Sequence, residues 1–142
     1  MPGCVRVEHV TVRPDRVIAE IRIANEAYAF TSPDIIEAAL RRYPHLLEHA
    51  CVNDCGKTFG AVASCTSVPH LIEHMAIEEQ ARSSRSEKKL FVGKTSWLDR
   101  MRLLAQVEVS YEEDFSALAA LRTAVQLADE LLAAREADST RR

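Results

Sequence analysis

Val5-Arg-Val-Glu-His-Val-Thr-Val-Arg-Pro-Asp-Arg-Val-Ile-Ala-Glu-Ile-Arg-Ile23 holds two alternating segments joined by a turn. Val17, Ala19, Ile21 and Ile23 alternate with Ile18, Glu20 and Arg22, the period of a strand with one buried face. Val5 and Val7, then Val10 and Val12, form a second strand whose phase slips by one residue near His9. Arg13-Pro14-Asp15 carries turn chemistry, so the pair reads as an antiparallel hairpin. Beyond it the period becomes helical. Thr31-Ser32-Pro33-Asp34 supplies a hydroxyl cap, a first-turn proline and an early acid, followed by the apolar stripe Ile35, Ile36, Ala39 and Leu40. Residues 44–59 read as irregular around Asn53-Asp54 and Gly56, and Phe59 to Ser64 as a short strand. A second helix is expected from near Ser67 and Pro69 to about Arg82, followed by a polar, basic connector over residues 82–89.

Leu90 to Val92 and Ala105 to Tyr111 read as further strands. Asp114 caps a long C-terminal helix with Leu118, Leu121, Val125, Leu127 and Leu131 on an Ala-rich frame, fraying over residues 137–142. Strands and helices mix without strict βαβ alternation. This predicts an α+β fold, a small antiparallel sheet packed against two or three helices, as a single domain over residues 1–136.

A net charge of −3 and a pI near 6.0 leave no broad basic field, which argues against nucleic acid and anionic membranes as partners. No apolar run approaches the roughly 18 residues of a membrane helix. The start, Met1-Pro2-Gly3-Cys4-Val5-Arg6, lacks the charged and apolar regions of a secretion signal, so a cytoplasmic protein is expected. A homo-oligomer stays open. In that compartment Cys4, Cys51, Cys55 and Cys65 are expected as reduced thiols. Cys51 and Cys55 are spaced more loosely than the CxxC of a zinc knuckle and have no second pair, so a structural zinc on them is not expected. Gly56-Lys57-Thr58 and Gly93-Lys94-Thr95 end like phosphate loops, but Cys51 and Lys88 stand where the upstream glycine is required.

The chemistry-bearing segment is His70-Leu71-Ile72-Glu73-His74. On a helix, residues four apart share a face, so His70 and His74 can clamp one metal ion. Glu73 precedes the second ligand and is angled toward water at the ion, the H-x-x-E-H order of inverted zincins. Zinc fits such a site, with Glu73 as general base. A second copy, His45-Leu46-Leu47-Glu48-His49, runs straight into Cys51 to Gly56 and so ends an element, whereas the first continues into a full helix. Rigidity favours His70 and His74. Zinc needs a third ligand. Downstream candidates are Glu112, Glu113 and Asp114, of which Glu113 and Asp114 are preferred; Glu78, one turn after His74, can also approach.

His70-Leu-Ile-Glu-His-Met-Ala-Ile-Glu-Glu-Gln80 resembles the central helix of the N-terminal domain of cyanophycin synthetases. Glu48-His49 before Cys51 resembles that domain's Glu-His-x-Cys turn, and Gly93-Lys94-Thr95 its Gly-Arg-Thr. Gln106-Val107 through Tyr111 and Arg122-Thr-Ala-Val-Gln-Leu127 resemble its last strand and helix. The resemblance implies a free-standing version of the domain, with a fold similar to one half of a pitrilysin-type peptidase. It further implies a zinc-dependent hydrolase, a peptidase or amidase acting on an Asp/Arg-containing peptide or a cyanophycin-like polymer. Lys94 stands where the family has arginine and becomes a candidate substrate-binding residue. Two alternatives stand beside this reading. One is a non-catalytic domain that binds a peptide or partner, with a vestigial metal site. The other is a metalloenzyme similar to S-ribosylhomocysteine lyases, whose third ligand is a distant cysteine; no cysteine follows Cys65 here.

Overall fold

The computed structural model describes residues 3–84 and 90–140. Strands β1 (Val5–Val12) and β2 (Arg16–Ile23) form the hairpin, closed by Arg13 N–H donating to Arg16 C=O at 2.8 Å. The pairing shifts register between Val7 and His9, where the apolar phase slips. With β5 (Gly93–Asp99) and β6 (Leu104–Ser110) they make one antiparallel sheet, ordered β1-β2-β6-β5. This is an α+β fold with a small antiparallel sheet. Val17, Ala19, Ile21 and Ile23 of β2 and Ala105, Val107 and Val109 of β6 are all buried on one face.

That face packs on α2 (Val68–Ser83) at β5 and β6 and on α3 (Asp114–Thr140) at β1 and β2, and the two helices pack against each other. Helix α2 has no fully exposed residue along its first half: Leu71, Ile72, Glu73, His74, Met75 and Ala76 are all buried. Such a helix is a core element rather than a surface one. Ala117, Ala124 and Ala128 of α3 are buried, and their small side chains let the two helices approach closely. Ser67 caps α2 by accepting the His70 N–H at 3.2 Å, with Pro69 in the first turn. Helix α1 (Pro33–Arg42) starts at Ser32, whose hydroxyl accepts the Ile35 N–H, and buries Ile35, Ile36 and Ala39.

Three local readings are corrected. Phe59 to Ser64 is not a strand but two 3₁₀ turns, Phe59–Ala61 and Ala63–Cys65. Gly60 sits against Leu47 there, and each turn closes on itself, with Val62 N–H donating to Phe59 C=O at 3.1 Å and Cys65 N–H to Val62 C=O at 2.9 Å. Residues 44–59 are more ordered than their composition implies. They hold a 3₁₀ turn, Leu46–Glu48, and a small hairpin of β3 (Ala50–Asn53) and β4 (Gly56–Thr58). Leu90 to Val92 precedes the strand rather than forming it. β5 begins at Gly93 and, as an edge strand, exposes Lys94, Ser96 and Leu98, so its apolar contrast is weak. The connector falls largely on residues 85–89, outside the described residues. Helix α3 continues to Thr140, past the expected start of fraying at Ala137.

Candidate metal centre

A cleft of about 950 Å³ opens over α2. Its floor carries His70, Glu73, His74, Ile77 and Glu78, one wall is β5, and the other is the β3–β4 hairpin. The hairpin turn is held by Asn53, whose side-chain oxygen accepts the Cys55 N–H at 2.9 Å while its amide donates to Cys51 C=O at 3.2 Å and Thr58 C=O at 3.1 Å. This brings Cys51 over the N-terminal turn of α2, with its Sγ 3.4 Å from His70 Nε2. Cys51, His70 and His74 each offer a donor atom, and these atoms lie within 4.8 Å of one another.

Each imidazole is held from behind. His70 Nδ1 is 2.9 Å from Thr66 Oγ1, which leaves Nε2 toward Cys51. His74 Nδ1 is 3.2 Å from His49 Nδ1, and His74 Nε2 is buried without a hydrogen-bond partner. Phe59, fully buried, stacks on His74 at 4.3 Å between ring centroids and meets His70 edge-on at 5.1 Å. A buried imidazole nitrogen left without a partner is costly unless something binds it. Burial, with lesser contributions from His70 and His49, pushes His74 down to about 3, and burial also lowers His70. Both rings therefore keep a bare nitrogen at neutral pH, which is the ligating form. One thiol and two imidazoles are a donor set suited to a borderline-soft divalent ion, so these residues fit a metal.

Glu73 stands beside this group. Its Oε1 accepts the Thr95 hydroxyl at 2.6 Å, and its Oε2 lies 3.6 Å from His74 Nε2. Burial pushes the carboxyl up to about 7, opposed by the Thr95 hydrogen bond. Gly93 makes the approach of β5 possible. A Cβ on it would lie 2.8 Å from Glu108 C=O, 2.8 Å from Glu73 Cγ and 2.9 Å from Glu73 Oε2. The Gly-Lys-Thr segment thus has a steric and a hydrogen-bonding purpose. Gly93→Ala is expected to destabilise the protein by about 1–3 kcal/mol through overpacking, read as a lower urea midpoint with an unchanged slope. An unshifted midpoint would show that β5 yields freely.

The model of the cyanophycin synthase-like N-terminal domain matches residues 17–133, from β2 through most of α3. The chain belongs to this family. A search of the curated proteins gives no match.

Within this family member, the sequence-based ligand set is redrawn. The structure brings His70 and His74 together, with Glu73 between them and the sheet. Among the described residues the donor atoms that lie together are those of Cys51, from upstream, His70 and His74; Glu113 and Asp114 are not in that group. Neither acid lines the cleft. Glu113 borders a separate, small cavity with Gln80, Ser83 and Glu112, at the far end of α2. At about 1.5 Å per residue, Ser83 is roughly 13 Å along the helix from His74. Asp114 is the first residue of α3 and accepts the Phe115 N–H at 2.8 Å. Lys94 lines the cleft on β5, with Glu108 as its cross-strand partner.

The second His-x-x-Glu-His copy splits. His45 is exposed and pairs with Glu48, whereas His49 reaches the site. In sequence Cys51 carries no zinc-knuckle signal, because it lies four residues from Cys55 and has no second pair. The signal that marks it is the Glu-His-x-Cys order, Glu48-His49-Ala50-Cys51. Among the described residues no helix is long and apolar enough to cross a membrane.

Proposed function

We propose that this domain is a metal-dependent hydrolase of amide or peptide bonds. The observation that carries the reading is the buried Glu73 carboxylate, 3.6 Å from an unpartnered ligand nitrogen on the floor of a large cleft. A site built only to hold a metal for structure needs no such carboxylate. Cys51, His70 and His74 would hold the ion, zinc on this reading. When bound it supplies Lewis acidity to a carbonyl.

The protein's own residues account for the proton. Thr95 occupies Oε1 of Glu73, so Oε2 is the atom free to take a proton from water and return it to the leaving amine. Glu73 is itself buried, which limits the water it meets. Strand β5 borders the cleft at the sheet edge, which suits an extended peptide substrate. Lys57 and Lys94 both line the cleft, placing cations where acidic side chains of a substrate would lie. With the family assignment, this supports an Asp/Arg-containing peptide or cyanophycin-like polymer as substrate.

The test incubates zinc-loaded and metal-free protein with Asp–Arg polymer and with a mixed peptide library, with products identified by mass spectrometry. Cleavage of the polymer only by the loaded protein is expected. Cleavage of ordinary peptides alone removes the polymer specificity and keeps the hydrolase. Cleavage of nothing, with metal bound, makes the domain a binding module.

A further inference from the structure

Glu78 and His49 form a chain behind His74 that the hydrolytic step does not use. His49 Nε2 lies 2.5 Å from Glu78 Oε2, and His49 Nδ1 lies 3.2 Å from His74 Nδ1. The side chains of His49 and Glu78 are only 14% and 15% exposed, so water competes little for these bonds. The two come from different elements: His49 follows a 3₁₀ turn, and Glu78 lies on α2 one turn beyond His74.

The contacts fit one arrangement of protons along the chain. A carboxylate accepts, so His49 Nε2 carries the hydrogen of the short contact with Glu78. The His49 tautomer with its one hydrogen on Nε2 presents a lone pair at Nδ1. The 3.2 Å contact between two Nδ1 atoms needs one hydrogen, and His74 supplies it. His74 is left with a bare Nε2, the atom that is buried and unpartnered. Reversing the chain would put a lone pair of His49 against the carboxylate and a proton on His74 Nε2, where a metal would bind.

We propose that His49 and Glu78 are positioning residues, which hold His74 in the tautomer and ring orientation that a metal requires. This rests on the reading of Cys51, His70 and His74 as a metal centre, and it does not require hydrolysis. Partners of this kind, behind a ligating imidazole, typically change metal affinity about 10–100-fold. Thr66 stands in the same relation to His70.

The first test uses metal-free protein labelled with ¹⁵N-histidine, with long-range ¹H–¹⁵N correlation reporting the tautomer of His74. The wild type is expected to carry the proton on Nδ1, and Glu78→Gln, whose amide can either donate or accept, to show a mixture. A wild-type His74 protonated on Nε2 overturns the proposal.

The second test measures Co²⁺ affinity by competition with a chromophoric chelator. His49→Ala is expected to weaken binding about 10–100-fold, and His49→Asn, whose Oδ1 can accept from His74 Nδ1–H, to recover part of it. Unchanged affinity in His49→Ala overturns the proposal. So does loss of one nitrogen neighbour from the Co²⁺ X-ray absorption spectrum of that variant, which would make His49 a ligand. Absent cleavage with both tests positive removes the hydrolase and leaves the relay standing.

Discussion

Glu73→Gln is expected to keep the metal and to lower turnover about 10²–10⁴-fold, the usual contribution of a positioned general base. The substitution is nearly isosteric. Its amide oxygen can still accept the Thr95 hydroxyl that now reaches Oε1 at 2.6 Å. The packing against Gly93 is nearly kept, because no heavy atom is added where β5 leaves little room. What disappears is a group able to take a proton beside His74 Nε2. Steady-state cleavage together with metal content per chain reads both halves of the prediction. Full turnover in the variant would remove Glu73 from the mechanism, while loss of metal would make it a ligand rather than a base.

Cys51→Ala is expected to weaken metal binding by about 10²–10³-fold. The roughly 10–16 kcal/mol of apparent binding energy in a four-ligand zinc site divides to about 2.5–4 kcal/mol per ligand. Cys51 is the cleanest ligand to remove. It sits half-buried on a short hairpin, whereas His74 is buried and stacked on Phe59, so truncating it also opens the core. The thiolate-to-metal charge-transfer band of the Co²⁺ form should vanish with it. Cys55→Ala and His45→Ala serve as controls. Both residues are exposed and outside the donor group, so both variants should bind as the wild type does. An unchanged affinity in Cys51→Ala, or a lost one in His45→Ala, would mean that the centre is built from other residues.

Several features were readable from local sequence because local physics creates them. The alternation over Val17–Ile23 marks a strand with one buried face, and the slip at His9 marks a real register shift, since side chains on a strand alternate with period two. Ser67, Pro69 and the His-x-x-Glu-His spacing place two imidazoles on one face of α2 whatever surrounds it. The same spacing at His45–His49 looks equivalent on paper. It differs only because the chain there makes one 3₁₀ turn and leaves for β3, which separates an exposed His45 from a buried-side His49.

The rest was decided through space. Cys51 meets His70 across 19 residues only because Asn53 closes a hairpin over α2. Thr95 and Gly93 reach Glu73 because β5 is the outermost strand beside that helix. Glu113 and Asp114, which sequence order favours as ligands, lie beyond the end of β6, away from the cleft. Local propensity and period specify what each segment is and which side it buries. They carry no information about which loop tip lands on which helix turn, because that is set by how the sheet and two helices share one core.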